Sequence, residues 1–304
     1  MMKIGMVGLG KMGGNMARRL LKAGVQVVGY NRDVSATEQL ANDAGLIAAE
    51  SLADVVAKLE TPRVVWLMLP SGGPTEDTIN ELKGMLSKGD VLVEGGNSYY
   101  KDSERRGLAM NALGIGYVDA GTSGGIWGLK NGYALMVGGE KSAVDKVIPF
   151  IKVLAPGEAT GWLHCGPSGS GHFTKMVHNG IEYGMMQAYA EGFALMKGKK
   201  EFSLDIAAIS EMWRHGSVVR SWLLDLTATF LAKDQELESI VPFVTDSGEG
   251  RWTVLESVEQ GVPTPAMTLA LMARFASQGE GDFGNKMLAM MRKGFGGHDV
   301  KSGG

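Results

Sequence analysis

Near its start the chain carries the segment Lys3-Ile4-Gly5-Met6-Val7-Gly8-Leu9-Gly10-Lys11-Met12-Gly13, which joins an apolar stretch to three glycines spaced Gly-x-Gly-x-x-Gly. The apolar stretch Lys3–Val7 predicts a short buried strand, and the pattern after Gly13 predicts a helix through Ala23. A second apolar stretch, Gln26–Tyr30, predicts the next strand. A strand, a glycine turn, a helix and a strand in this order are the context in which the glycine motif indicates a dinucleotide-binding α/β unit.

The glycines of this turn have separate predicted roles. Gly8 permits the tight turn, Gly10 lets the backbone approach a pyrophosphate, and Gly13 lets the helix pack on the strand. The N-terminus of the helix would bind the anion. The cofactor-binding residues predicted here are Gly8, Leu9, Gly10, Lys11, Met12 and Gly13. A glycine-rich turn without a ligand is the alternative interpretation.

The residues after the second strand decide which nucleotide fits. An acidic residue there would bind the ribose 2′-hydroxyl of NAD, whereas a nearby arginine would accommodate the 2′-phosphate of NADP. The chain has Asn31, Arg32 and Asp33 at this place. Asn31 in the usual acidic position and Arg32 beside it favour NADP. Asp33 could pair with Arg32 or repel the phosphate, so NAD stays open.

Strand and helix patterns continue to alternate as far as Cys165. Further strands are predicted at Arg63–Leu69, Val91–Glu94, Gly116–Asp119, Ala134–Val137 and near Thr160–Cys165. Further helices are predicted at Thr75–Leu86, Ser103–Leu113 and Ser142–Leu154. This alternation predicts an α/β fold with a mostly parallel, doubly wound sheet of the Rossmann type.

Three segments that follow predicted strands combine free backbone N–H groups with small polar side chains. They are Leu69–Gly73, Gly95–Ser98 and Gly121–Gly125, and all three are expected to be loops. Ligands of such a sheet lie outside the carboxyl ends of its strands. The three segments therefore predict a rim for cofactor and substrate, with Leu69 and Asn97 among the cofactor contacts.

From Gly169 onward only helical periods occur, which predicts a second, all-helical domain. The expected division is a NAD(P)-binding domain over residues 1–166 and a helical substrate-binding and oligomerisation domain with a C-terminal tail over 167–304. The first helix of the second domain is predicted at Gly169–Met196. A helix that is apolar nearly all round, as this one is, is normally buried.

Four polar side chains interrupt that apolar helix. At about 100° per residue, one face over two turns contains Lys175, His178, Asn179 and Glu182. Such a cluster on a buried helix should line a cavity, although an ordinary solvated face is the alternative. A desolvated lysine can act as a base, and a carboxyl group on the same face can act as an acid. This pairing suits a reaction with proton transfer at two atoms.

Composition restricts the class of protein further. The 304 residues exceed what a single core usually serves, and 30 basic against 33 acidic residues argue against nucleic-acid or membrane-surface partners. The single cysteine, Cys165, excludes an internal disulfide and fits a reducing compartment. No transmembrane run, signal segment or metal-ligand motif is apparent. The expectation is a soluble, cytoplasmic protein with no metal.

With these residues in view, the chain resembles the short form of the 6-phosphogluconate dehydrogenase (decarboxylating) family along nearly its whole length. The most specific motif is Lys175-Met176-Val177-His178-Asn179-Gly180-Ile181-Glu182-Tyr183-Gly184, which is similar to the family's active-site helix. Further matches are Gly95-Gly96-Asn97, Ser123-Gly124-Gly125, Gly250-Arg251-Trp252-Thr253 and the segment from Arg292 to His298. The glycine turn and Ser-Gly-Gly are shared with the wider β-hydroxyacid dehydrogenases.

The resemblance implies oxidative decarboxylation of 6-phosphogluconate to ribulose 5-phosphate, with reduction of NADP or NAD. Lys175 would accept the proton of the C3 hydroxyl while hydride passes to the nicotinamide. It would then hydrogen-bond the carbonyl of the β-keto acid as CO2 leaves. Glu182 would protonate C1 of the resulting enediol. One base and one acid on a single helix face agree with the reading of the residues alone.

The resemblance also implies a set of substrate contacts and an oligomer. The carboxylate and sugar hydroxyls would be bound by Ser123, Gly124, Gly125, His178 and Asn179, with Asn97 near the nicotinamide. The 6-phosphate would be bound by Tyr183, Arg251 and Arg274, and by Arg292 and His298 from a neighbouring tail. A homodimer or homotetramer would therefore complete each active site. Arginine suits this task because its planar group binds phosphate oxygens in pairs.

The chain departs from the family in three places. Arg251 stands where many members have lysine, Ile126-Trp127-Gly128 replaces an acidic pair of the long forms, and the second helical half of those forms is absent. Two other functions are the alternatives. A 3-hydroxyisobutyrate-type dehydrogenase, which releases no CO2, is not expected to carry Glu182 and the phosphate-binding arginines. A non-catalytic nucleotide-sensing protein would have no use for Lys175 and Glu182 together.

Overall fold

The computed structural model describes residues 2–296 and 299–301. The chain divides into two compact units, Met1–His178 and Asn179–Gly304. The division falls inside one long helix rather than in a linker. The functional division at residues 166 and 167 remains a prediction.

The first unit contains an eight-stranded sheet. Its strands are β1 (Lys3–Val7), β2 (Gln26–Tyr30), β3 (Ile47–Ala48), β4 (Val64–Leu67), β5 (Val91–Glu94), β6 (Gly116–Ser123), β7 (Ala134–Gly139) and β8 (Trp162–Gly166). Their spatial order is β3-β2-β1-β4-β5-β6-β7-β8. Every neighbouring pair is parallel except β6 and β7. The predicted mostly parallel, doubly wound sheet is confirmed.

Helices separate the strands of this unit. They are α1 (Lys11–Lys22), α2 (Val34–Ala44), α3 (Leu52–Ala57), α4 (Gly73–Lys83), α5 (Tyr100–Asn111), α6 (Gly128–Asn131) and α7 (Lys141–Leu154). The segment that forms α2, β3 and α3 was not among the elements predicted from the sequence. Its signals were the helix-capping residues: Asp33 caps the start of α2, and Gly45 ends that helix in the left-handed conformation.

Alternate side chains of the central strands point to opposite faces of the sheet, and both faces are buried. Trp66 belongs to one apolar cluster, whereas its neighbours Val65 and Leu67 belong to the other. The same alternation separates Val93 from Leu92. Successive side chains of a strand point to opposite faces of the sheet. A sheet that is covered on both faces therefore requires strands that are apolar at every position.

One predicted loop is part of a strand. Gly121–Gly125 was expected to be a loop, but β6 continues to Ser123 because Gly121, Thr122 and Ser123 pair with β7. The Gly-Thr-Ser-Gly-Gly sequence resembles a turn, and the partner strand overrides that local preference. Gly125–Trp127 then forms a short 3-10 turn. The carboxyl ends of β4, β5 and β6 nevertheless share one edge, because the three strands are parallel neighbours.

Helix α8 (Ser170–Gly198) begins in the first unit and continues into the second. The second unit also contains α9 (Ile206–Trp213), α10 (Trp222–Leu231), α11 (Glu249–Gln260), α12 (Pro265–Ser277) and α13 (Asp282–Gly296). A cluster of Tyr183, Ala270 and Leu271 joins α8 to α12. The predicted helical character of this part is confirmed. Across residues 2–296 and 299–301, no helix is long and apolar enough to cross a membrane.

Part of the α8 prediction was wrong. A helix apolar nearly all round was expected to be buried, yet Ile181, Met185 and Leu195 are 53%, 39% and 78% exposed. The N-terminal half is buried because it packs on the sheet of its own unit, whereas neighbouring helices cover only part of the C-terminal half. Apolar periodicity alone does not show whether the covering surface belongs to the same chain.

Candidate active site

The glycine turn has the shape that a dinucleotide requires. Gly8 adopts φ +90°, and a Cβ there would overlap the carbonyl oxygen of Met68. A Cβ on Gly13 would overlap the carbonyl oxygen of Gly8, so neither position accepts a side chain. A Cβ on Gly10, by contrast, would meet nothing within 4 Å. Gly10 therefore leaves the start of α1 open to an approaching anion, which fits a pyrophosphate.

The end of β2 is tied to this turn by Asn31. Its side-chain oxygen accepts the backbone N–H of Leu9 at 2.9 Å. Its amide nitrogen donates to the carbonyl oxygen of Asp33 at 3.0 Å. Asn31 thus holds the glycine turn and the end of β2 together, in addition to its predicted contact with the nucleotide. Lys11 is exposed and Met12 half-buried beside the turn.

Asp33 is used as a helix cap. Its carboxylate accepts hydrogen bonds from the Ser35 hydroxyl at 2.7 Å and the Ser35 backbone N–H at 3.1 Å. The hydroxyl bond, together with the backbone bond, lowers the pKa of Asp33. Of the two roles that the sequence left open for Asp33, pairing with Arg32 is not the one observed. Arg32 is exposed.

The segments after β4 and β5 lie in direct contact at the carboxyl edge of the sheet. A Cβ on Gly96 would overlap the carbonyl oxygen of Leu69, so the absence of a side chain brings the two backbones together. Asn97 is exposed there, whereas Ser98 is buried with no partner for its hydroxyl among the described residues. The rim predicted for cofactor and substrate is therefore a compact set of backbone and small polar groups.

A buried ion-pair network that was not predicted from the sequence anchors this rim. Glu94, the last residue of β5, pairs with Arg106 at 2.9 Å and accepts a hydrogen bond from Tyr117. Glu76 binds both Arg105 and Arg106, and its bond to Arg105 is the main reason why its pKa falls to about 2. The network fixes the end of β5 against α4 and α5. Its members are distant in sequence, so no local spacing identifies them.

Helix α8 packs directly on β6 at Lys175. A Cβ on Gly121 would overlap the Cβ of Lys175 and lie 2.9 Å from its Cγ. Lys175 is 5% exposed, which excludes the solvated-face interpretation for this residue. One turn further, the His178 ring lies 3.4 Å from the Ser123 hydroxyl. Within the first unit, the structure thus brings together three predicted site residues, Lys175, His178 and Ser123.

The predicted polar face continues along the same helix into the second unit. Asn179 is 8% exposed and Glu182 is half-buried.

The turn after β6 contains the remaining predicted glycines. Gly124 and Gly125, which follow Ser123, have φ of +132° and +52°. Ile126 and Trp127 beyond them are exposed at 62% and 49%. Of the segment that departs from the long forms, Ile126 and Trp127 therefore lie at the surface, whereas Gly128 is buried and begins α6.

In the second unit, three predicted phosphate-binding residues gather around the segment before α11. The Tyr183 hydroxyl accepts the Ser247 backbone N–H at 3.0 Å. The Arg274 guanidinium lies 3.5 Å from the centre of the Tyr183 ring and donates to the carbonyl oxygen of Thr245. Arg251 lies 4.3 Å from the centre of the Phe275 ring. Each of the two guanidinium groups thus lies over an aromatic ring.

Asp246 also belongs to this cluster, although it was not predicted from the sequence. It binds Arg251 through two hydrogen bonds, of 2.8 and 3.1 Å. Hydrogen bonding from Arg251 lowers the pKa of Asp246, although burial opposes the shift. A phosphate at this place would have to share Arg251 with Asp246. The sequence signal for this pair was the spacing of Asp246 five positions before Arg251, with the start of α11 between them.

The C-terminal residues form a helix rather than an irregular tail as far as Gly296. Arg292 lies on α13 and is exposed. His298, the other predicted tail residue, lies outside the described residues. In the described part of the chain, no group of three His, Cys, Asp or Glu side chains could hold a metal ion.

A doubly wound sheet that begins with a glycine turn, followed by a helix with a buried lysine, is the arrangement expected of an NAD(P)-dependent dehydrogenase. Residues 3–165 match the model described as the NAD binding domain of 6-phosphogluconate dehydrogenase, and residues 171–292 match the 6-phosphogluconate dehydrogenase C-terminal domain. The chain belongs to the 6-phosphogluconate dehydrogenase family. The resemblance seen in the sequence is thereby confirmed.

Individual relatives support this assignment. The NAD(+)-dependent, decarboxylating 6-phosphogluconate dehydrogenase of Haloferax volcanii is 41% identical over 98% of both chains. The structure of Plasmodium falciparum 6-phosphogluconate dehydrogenase, solved with NADP+ and with 6-phosphogluconate, superposes with a TM-score of 0.84 at 30% identity. That match covers 99% of this chain and 66% of the Plasmodium chain. The chain spans 61% of the length of several other curated relatives.

A 3-hydroxyisobutyrate dehydrogenase of Mycobacterium tuberculosis shares the fold, with a TM-score of 0.74 at 21% identity. The match covers 93% of this chain and 94% of the Mycobacterium chain. At this identity the likeness concerns the fold alone and gives no support to that substrate.

Proposed function

We propose that the protein catalyses oxidative decarboxylation of 6-phosphogluconate to ribulose 5-phosphate and CO2, with reduction of NAD(P)+. The observation that carries the proposal is the buried Lys175, held by α8 against β6 beside the substrate rim. Glu182 follows two turns later on the same helix face. The activity printed for the Haloferax relative, and the substrate bound to the Plasmodium relative, support the choice of reaction.

The residues of the chain divide the proton transfers between them. Lys175 in its neutral form accepts the proton of the C3 hydroxyl. Bound nicotinamide supplies the acceptor for the hydride that leaves C3. The lysine ammonium then donates a hydrogen bond to the new C3 carbonyl, which stabilises the enolate formed as CO2 departs. Glu182 protonates the carbon that lost the carboxylate, which becomes C1 of ribulose 5-phosphate.

The substrate contacts are assigned to two groups of residues. In the first unit, Asn97, Ser123, Gly124, Gly125 and His178 bind the carboxylate end and the hydroxyls, and Asn179 at the start of the second unit joins them. In the second unit, the 6-phosphate is assigned to Tyr183, Arg251 and Arg274. The clustering of these three around Thr245–Gly250 supports their common role, because paired guanidinium groups are suited to phosphate.

For the cofactor, we propose a preference for NADP through Arg32. The Asp33 carboxylate is held by Ser35, so the Arg32 guanidinium is not engaged in a direct pair with it and is left to bind a 2′-phosphate. The expected result of Arg32→Ala is a loss of roughly tenfold or more in kcat/KM for NADP, with little change for NAD. Equal effects on both cofactors, or a wild-type preference for NAD, would overturn this part of the proposal.

We also propose that two or four copies assemble. The second unit exposes Phe283, Leu288 and Met291 on α13 at 75%, 60% and 52%. Exposed apolar side chains in this number on one helix indicate a surface that another chain covers. In this assembly Arg292 and His298 are assigned to the phosphate of a neighbouring active site. The cytoplasmic location expected from the single cysteine stays a prediction.

The substrate assignment is tested by comparing 6-phosphogluconate with 3-hydroxyisobutyrate under the same conditions. The proposal expects kcat/KM to be higher for 6-phosphogluconate by a factor of roughly 1000 or more, because only that substrate engages the phosphate-binding arginines. Comparable efficiencies, or preference for 3-hydroxyisobutyrate, would refute it. The same assay on Arg251→Ala should raise KM for 6-phosphogluconate and leave KM for the nucleotide unchanged.

A further inference from the structure

Helix α8, which carries Lys175, begins without a capping side chain of its own. Its first residue is Ser170, and the carbonyl oxygen of Gly169 accepts the first helical hydrogen bond, from Phe173 at 2.8 Å. Gly169 is therefore the N-cap, and glycine has no oxygen with which to satisfy the free N–H groups of the first turn. Another part of the chain must supply the acceptor.

That acceptor is Asp119, on strand β6. One carboxylate oxygen accepts the backbone N–H of Gly169 at 2.7 Å, and the other accepts that of His172 at 2.9 Å. These are the N-cap and N3 positions, which a capping box would satisfy locally. Asp119 is fully buried. A negative charge at a helix N-terminus is also favoured by the helix dipole.

The packing around the carboxylate brings the start of α8 into close contact with the sheet. A Cβ on Gly138 would lie 2.5 Å from one Asp119 carboxylate oxygen. A Cβ on Gly171 would lie 2.5 Å from the backbone oxygens of Asp119 and Met136. Because Gly138 and Gly171 have no side chains, the start of α8 lies directly against the sheet. The Asp119 carboxylate lies between them and accepts charge-assisted hydrogen bonds from the helix start.

Asp119 belongs to a row of contacts that leads to the reactive lysine. Residues 119, 121 and 123 point to one face of β6, because a strand has a period of two. Along α8 they meet, in the same order, His172, Lys175 and His178. The three helix positions are spaced by three and share one helix face. The carboxylate is the only charged group in this row that belongs to the strand.

We propose that Asp119 is a positioning residue for the reaction: as a cap supplied from β6, it fixes the rotation and axial position of α8, and so places Lys175. It is assigned no contact with substrate or cofactor. The kinetic test of this inference rests on the proposed function, whereas its structural test measures the protection of α8 against hydrogen exchange. Asp119→Asn keeps the volume but turns one acceptor into a donor, which faces an N–H group.

Asp90 provides a matched control in the same unit. It is also a fully buried carboxylate, and it accepts the backbone N–H groups of Arg63 at 2.7 Å and Ser87 at 2.9 Å. It precedes β5, at the opposite edge of the sheet from the rim. Unlike Asp119, it also pairs with the Arg63 guanidinium at 2.8 Å, so Asp90→Asn disturbs a buried carboxylate with more partners than Asp119, none of them on α8.

The experiment compares wild type, Asp119→Asn and Asp90→Asn by steady-state kinetics and by hydrogen exchange. We expect Asp119→Asn to lower kcat by about ten- to a hundredfold, since small misplacements of a reacting group have effects of this size, with KM for both ligands changed less than about threefold. Exchange should accelerate in residues 169–178 of this variant alone. Asp90→Asn should retain kcat and protection of that segment, even if it unfolds at a lower temperature.

Several outcomes would overturn the inference. Asp119→Asn with kcat within about twofold of wild type, or a loss equal to that of Asp90→Asn, would show that the carboxylate does not place the lysine. Unchanged exchange in residues 169–178 would contradict the capping role itself. If Asp119→Asn fails to fold, Gly138→Ala crowds both the carboxylate, at 2.5 Å, and the backbone nitrogen of Gly171, at 2.7 Å, so it tests the placement of the helix start and should lower kcat in the same way. Wild type without activity on 6-phosphogluconate would refute the proposed function, while the exchange result would still decide the cap.

Discussion

Replacement of Gly121 by alanine tests whether the position of Lys175 against β6 matters for the reaction. The added Cβ would overlap the Cβ of Lys175 and lie 2.9 Å from its Cγ. Carbon atoms in contact lie roughly 3.5–4.0 Å apart, so α8 must retreat by about 1 Å at this point. The backbone of Gly121 is not in the left-handed region, so the substitution acts through space alone.

A displacement of this size predicts separate effects on rate and on stability. A 1 Å misplacement of a reacting group can cost on the order of 100-fold in rate. Overpacking of a closely packed contact costs about 1–3 kcal/mol of folding stability. We therefore expect kcat for 6-phosphogluconate to fall by about 30- to 100-fold, while the protein remains folded.

The matched control lies on the same strand. A Cβ on Gly116 would lie 2.7 Å from the Cβ of Ala143 on α7, so Gly116→Ala overpacks β6 at its other end. Both variants are to be assayed for kcat, KM and thermal unfolding. Gly116→Ala should lose stability but keep kcat. Two results would refute this reasoning: an equal fractional loss of kcat in both variants, or an unchanged kcat in Gly121→Ala. Either result would show that the contact with β6 does not determine the position of Lys175.

Three further substitutions probe the site and its support. Lys175→Met should bind both ligands and lose oxidation, because no base remains for the C3 hydroxyl; near-normal turnover in a stopped-flow assay would remove Lys175 as the base. Glu182→Gln should impair turnover, through protonation at C1, more than it impairs formation of the ternary complex. Equal losses of rate and affinity would identify Glu182 as a structural partner. Glu76→Gln concerns stability in acid. The pKa of Glu76 is lowered from 4.5 to about 2, so its contribution is complete above pH 4.5 and is lost as the pH falls to about 2. With a side chain 29% exposed, the contribution is roughly 1 kcal/mol after allowance for solvent screening. Urea unfolding should show that the variant loses less stability than wild type between pH 4.5 and 2; parallel curves would contradict this role.

The sequence was sufficient for the fold class because the deciding signals are local. The glycine turn, the second strand and the apolar runs of β4 and β5 each fit within a few residues, and the structure confirms the sheet that they predict. The end of β6 was assigned wrongly for the opposite reason. Whether Gly121–Ser123 is strand or loop depends on pairing with β7, which local composition does not determine.

The groups that hold the candidate site in place were beyond sequence reasoning. Asp119 caps a helix that begins about fifty residues later in the chain. The network of Glu76, Arg106 and Glu94 likewise joins residues on separate elements. Periodicity placed Lys175 and Glu182 on one helix face, but it could not show which surface covers that face. This is also why the exposed C-terminal half of α8 was not anticipated.

The most direct test of the proposed reaction is its stoichiometry. Purified protein is supplied with 6-phosphogluconate labelled in its carboxyl carbon, and reduced nicotinamide and labelled CO2 are measured together, with NADP and NAD in parallel. The proposed reaction predicts one CO2 for each reduced nicotinamide throughout the time course. Reduced nicotinamide without CO2 would contradict oxidative decarboxylation and indicate a dehydrogenase that stops at the keto acid.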